Sequence, residues 1–184
     1  MMACPVQAAV VNDGREAPAE ARSGRFVQLE RAVRAGRASS AGLVKQFGTA
    51  DPWRLAEALD IRVEWRTRCP DNPRLRSEII NEPATIILYT ETLGELSRLL
   101  GGRTPRLAAI PLDTIEAAIA IFRYLERVRP ELLHDVSRGW PRVARVVAAH
   151  AFAEDLLELP FFPAEIDAVD RLCRSPIHLP VRRD

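Results

Sequence analysis

Two apolar stretches at helical period constrain this chain most. Thr114–Arg127 reads TIEAAIAIFRYLER, and Arg142–Pro160 reads RVARVVAAHAFAEDLLELP. In the first, Ile115, Ala118, Ile119, Phe122 and Leu125 recur at three- and four-residue spacings, which places them along one helical face. A helix this apolar must be covered, so both stretches belong inside a core. With 184 residues, 47% of them hydrophobic, the chain is long enough to build one such core.

Upstream the period changes. Phe26, Leu29 and Val33 predict a helix that ends near Gly36. Ser39-Ser40 then offers an N-cap for a short helix through Leu43, Val44 and Phe47, stopped by Gly48. Asp51-Pro52 predicts a cap followed by proline in the first turn of a third helix, 53–59. Ile61, Val63 and Trp65 then alternate with Arg62, Glu64 and Arg66, the mark of a half-buried strand. Ser77–Ile80 and Ala84–Tyr89 give two further strands around an Asn81-Glu82-Pro83 turn. Helical spacing returns from Glu91 to Gly101, and then at 112–128, 138–158 and 163–172. The order predicts an α+β fold, with helices packed on a small three-stranded sheet. We expect an N-terminal arm over 1–23, one domain over 24–172 and an extended tail over 173–184.

Charge and cysteine content exclude several classes. The 26 basic and 25 acidic residues leave a net charge of +1, which argues against a protein built mainly to bind nucleic acid. Cys4, Cys69 and Cys173 are scattered and form no C-x-x-C pair, as in a reducing compartment. No stretch is apolar enough for a bilayer span and no secretory leader opens the chain, so a cytoplasmic protein is expected. There is no glycine-rich phosphate loop and no G-x-S-x-G.

Four segments in order resemble the ImmA/IrrE family of zinc metallopeptidases. DPWRLAEALDIRVEW (51–65) resembles its helix-into-strand opening, and SEIINEPATIILY (77–89) its hairpin. IFRYLER (121–127) resembles the tail of its active-site helix, and AAHAFAEDLLELP (148–160) the helix after it. The resemblance implies a zincin-like fold and, in active members, cleavage of repressor-type proteins. It also implies a His-Glu-x-x-His motif at 119–123, because histidines four apart on a helix reach one metal and the intervening glutamate activates its water. This chain has Ile119, Ala120 and Arg123 there, and Ala148 where an acidic third ligand is implied. None of these side chains can donate a lone pair to zinc.

The resemblance therefore implies a degenerate, catalytically inactive member that acts as a protein-binding or regulatory module and needs no cofactor. Its partner is expected to be a protein or peptide, with Ser77, Glu78, Ile79 and Ile80 as the edge strand to which a peptide adds. Two alternatives stand beside it. His134, His150 and Glu154 could form a displaced zinc site for a hydrolase. The chain could also be an unrelated α+β interaction protein. Within the first reading, Arg123 is expected to fill the old metal pocket and pair with an acid such as Glu154.

Overall fold

Helix α1 is a single 29-residue helix, Ala19–Phe47, in a computed structural model that describes residues 19–104, 107, 110–136 and 139–174. The expected break at Gly36 is therefore absent. Gly36 is buried inside α1, where a Cβ would lie 2.2 Å from the carbonyl oxygen of Ala148. The glycine serves close approach between two helices and does not end one. Ser39 is no cap either: its hydroxyl donates to the Ala35 carbonyl one turn back, at 2.7 Å. The helix also begins inside the segment expected to be an arm. Residues 1–18 and the tail 175–184, which includes His178, lie outside the described residues.

The next elements follow local rules. Asp51 accepts from the Trp53 amide at 2.9 Å and Pro52 opens helix α2, Pro52–Ala58. Strand β1 is Arg62–Arg66, β2 is Ser77–Ile80 and β3 is Thr85–Tyr89. The sheet order is β1-β3-β2, with β1 parallel and β2 antiparallel to β3. The fold is α+β, as expected. A turn containing a cis Glu82-Pro83 bond joins β2 to β3.

Alternation along the strands sorts side chains between two faces. Val63 and Ile79 flank Ile86 in register, and all three pack into the main core beneath the helices. Ile87 and Tyr89 face the other way into a small second core with Cys69, Leu75 and Ile80. Trp65 stays half exposed and meets Trp53 of α2, ring centroids 5.6 Å apart.

Helix α3 (Thr90–Arg103) follows β3 directly. Helix α4 is Leu112–Val128, a short 3-10 turn spans Pro130–Leu132, α5 is Arg142–Leu156 and α6 is Ala164–Arg174. Helix α4 occupies the range that its periodicity predicts, but it is buried on more than one face: eight consecutive residues, 115–122, are all buried. It packs on α5, α2 and both β2 and β3. Phe122 meets Phe152 of α5 with ring centroids 5.5 Å apart. On the far side of α5, α1 lies in close contact through small residues.

Gly36→Ala tests that contact. In an open helix the change stabilises by about 0.5–1 kcal/mol. Here the added methyl meets backbone, so we expect a net loss of about 1–3 kcal/mol, read as a lower urea midpoint with the slope unchanged.

Candidate functional site

The residues around the α4–α5 pair separate the expected sites. Ile119 and Ala120 are buried in the main core, and Ala148 is buried with its carbonyl oxygen facing Gly36. Arg123 is partly buried and forms no ion pair among the described residues. The expected Arg123–Glu154 pair is thus replaced. Glu154 accepts from Arg37 of α1 at 2.9 Å, and Glu126, one turn along from Arg123, pairs with Arg145 at 3.5 Å.

The displaced His134, His150 and Glu154 set is not brought together. Each of the three has its own neighbour. His134 is exposed in the loop after the 3-10 turn, where its amide donates to Ser39 Oγ at 2.9 Å and its ring lies against Gly42. Glu154 faces Arg37 on α1, whereas His150 faces Asp167 on α6. Their four-residue spacing puts them on one helix, but different neighbouring helices take up the two side chains.

The structure assembles another polar cluster, where α4, α5, α6 and the start of β2 meet. Glu116 of α4 is 4% exposed, near the start of the buried run. A carboxylate there requires partners, because an unpaired buried charge is strongly destabilising. Ser77 Oγ donates to it at 2.6 Å, and Arg76 Nε lies 3.5 Å away. The same guanidinium donates to Asp167 of α6 at 2.6 Å. Glu116 first, then Asp167, hold Arg76 above the ordinary arginine value. Arg76 is thus one internal cation shared by two carboxylates.

His150 completes the cluster. It is 1% exposed and packs edge-on against Phe162, centroids 5.9 Å apart. Its Nε2 lies 3.5 Å from Asp167 Oδ2, close enough for an ion pair if the ring is charged, yet neither ring nitrogen has a hydrogen-bond partner. Burial and the unpartnered nitrogens both favour the neutral ring, against the pull of Asp167. Burial is the main influence that lowers the His150 pKa. Arg123 and Arg76 lower it further, while Asp167 and Glu116 oppose the shift. Arg76, Glu116, Ile119 and Asp167 line a cavity of about 10 Å³ between α3, α4 and α6, barely room for one water.

The zinc that the resemblance implies does not fit these residues. Ile119, Ala120 and Ala148 offer no donor atom, and Arg123 is a fixed cation. The nearby carboxylates are already matched to Arg76. Among the described residues, no three His, Cys, Asp or Glu side chains are grouped to hold a metal.

Of this cluster, the sequence pointed only to Ser77, as part of the edge strand, and to His150, with a different partner. Glu116 carried a readable signal: a carboxylate inside the run TIEAAIAIF must find a cation. Nothing local marked Arg76 or Asp167, which are 91 positions apart. No protein-family model matches the chain, and no curated protein or solved structure matches it either.

Two outcomes test the cluster. A histidine held below its ordinary value binds fewer protons folded than unfolded, so acid favours the unfolded chain. Stability should therefore fall as pH drops below about 6.5. His150→Leu should flatten the urea midpoint between pH 7 and 5.5, and an unchanged slope would remove His150 as the cause. Arg76→Met should cost about 3 kcal/mol by stranding Glu116. Adding Glu116→Gln should recover much of that loss, because the stranded charge is gone.

Proposed function

We propose that this protein is a catalytically silent, zincin-like binding module that recognises an extended protein or peptide segment along β2. The observation that carries this reading is the position of β2 at the end of the sheet. Arg76 accepts from the Tyr89 amide, so position 76 addresses β3. Alternation from there turns the main-chain groups of Ser77 and Ile79 toward the free edge. Unpaired strand groups are what an added strand uses.

The other edge suits a partner less well. Strand β1 carries Arg62, Glu64 and Arg66, and charged side chains of this kind discourage edge pairing. Strand β2 carries one charge, Glu78, and that carboxylate accepts from Tyr89 Oη at 2.7 Å. Catalytic silence is supported by side-chain chemistry at the former metal positions, together with the Arg76 cation between Glu116 and Asp167. The same reading places the protein in the cytoplasm. Its cysteines are scattered, and no helix among the described residues is long and apolar enough to cross a membrane.

Selection of short random peptides displayed on phage, followed by calorimetry, tests the reading. Bound peptides should be extended and rich in β-branched residues. Ile79→Pro removes an edge donor while sparing the ladder to β3, and should weaken binding about tenfold or more. Peptide binding that survives this change in a folded variant would move the site elsewhere. Stoichiometric zinc retained after purification, and lost in His150→Leu, would overturn catalytic silence.

A further inference from the structure

At the opposite edge of the sheet, beside β1, an open cleft of about 670 Å³ lies between α2 and the turn that leads into β3. That volume falls in the range of small-ligand sites, roughly 300–1,000 Å³. Its inner lining is apolar: Ala56 and Ile61 are buried, and Val63 and Ala84 are partly so. Trp53 lines the cleft as well. The indole packs on the main core and on Trp65, whose ring centroid is 5.6 Å away at 35°. The site therefore has an aromatic wall already held in place.

The charges of the lining are unequal. Glu57 is four residues along α2 from Trp53, a spacing that puts both on one helical face. Asp60 follows with a left-handed backbone, φ 58, where glycine would be unstrained. Among the described residues neither carboxylate has an ion-pair partner or a side-chain hydrogen bond. Arg62, the cation of the lining, leans along its own strand toward Glu64 at 4.0 Å, and Glu64 also holds Arg66 at 3.1 Å. Two unanswered carboxylates thus stand against one guanidinium that has a partner elsewhere. Main-chain acceptors add to them. The Arg62 amide donates to the Ala84 carbonyl at 2.9 Å, so position 62 addresses β3, and alternation turns the Val63 carbonyl toward the open side.

The geometry points to this cleft as a binding site for a guanidinium group, presented as an arginine side chain by a protein partner. A guanidinium is planar. It stacks on an indole and directs its N–H groups, in plane, to carboxylates and carbonyls. An anion would meet Glu57 and Asp60. A neutral sugar could stack on Trp53 but would leave the excess charge unanswered. The cleft is far larger than a guanidinium, and so has room for the backbone that carries one. The site goes beyond the β2 reading and does not depend on it, because it lies at the other edge of the sheet.

Nitrogen-edited NMR of the full chain tests the site through its indole N–H resonances, with Trp53 assigned by Trp53→Phe. The probe is acetyl-arginine-methylamide, and its control is the citrulline analogue, of the same size but neutral. The arginine probe should shift the Trp53 resonance in a saturable way. The citrulline probe should bind about tenfold more weakly, as expected when a stacked, hydrogen-bonded cation is neutralised. Glu57→Gln and Asp60→Asn alter exposed positions and should each weaken the arginine probe about threefold. Asparagine tolerates the left-handed backbone, so the second change removes charge alone. Arg62→Gln removes the competing cation and should strengthen binding about twofold. Free arginine should bind no more tightly than the capped probe; tighter binding would assign the cleft to a free amino acid and overturn the protein partner. Equal binding of the arginine and citrulline probes overturns the cation site, as does binding that is unchanged when Glu57 and Asp60 are both neutral. No response of Trp53 to either probe overturns the site itself.

Discussion

Glu116 is a charge on a helix that has almost no outer face. Helix α4 is buried from residue 115 through 122, so this carboxylate must be matched inside the protein. The matching groups, Arg76 and Ser77, come from the first residues of the hairpin. That requirement ties the register of β2 to the rotation of α4. A one-residue slip of β2 would turn Ser77 and Ile79 away from the helices and leave the carboxylate bare. The buried charge thus specifies one arrangement among those that the apolar core alone would tolerate.

The second acceptor on Arg76 extends the network outward to α6. Burial is graded along that line. Helix α4 is buried along most of its length, the hairpin is held by ladder bonds, and α6 covers the cluster from outside through Ile166, Val169 and Asp167. The core and the rim thus differ in how much of each element is covered. The buried, unpartnered His150 lies at the boundary between the two.

Much of the fold could be read from residue patterns, because those patterns report burial. The β-rich run at 85–89 became a strand buried at every position, and Asp51-Pro52 capped a helix as it should. The periodicity of 112–128 gave the bounds of α4, although it described one covered face and the helix has more. Gly36 and Ser39-Ser40 misled because their residue types mark helix ends and close helix packing alike; only the neighbour, Ala148, decides between them. The cluster was harder to read. His150 and Glu154 share a helix but go to different neighbours, and the Arg76–Asp167 pair joins segments far apart in sequence. Local spacing carries no record of which helix will settle beside which.

The seam between α1 and α5 has a consequence of its own. It is made from Ala32, Ala35 and Gly36 on one side and Ala144, Ala148 and Ala151 on the other, all buried. Such residues let two backbones touch and lose little side-chain freedom in doing so. They also interlock poorly, because an alanine row one turn along looks much like the next. Alignment therefore falls to the polar contacts at its margins: Arg37 with Glu154, Arg31 with Asp135, and the Ser39 hydroxyl with the His134 amide. The two ion pairs lie near the surface and contribute little to overall stability. They act as alignment pins, marking one sliding position as correct on an otherwise smooth track.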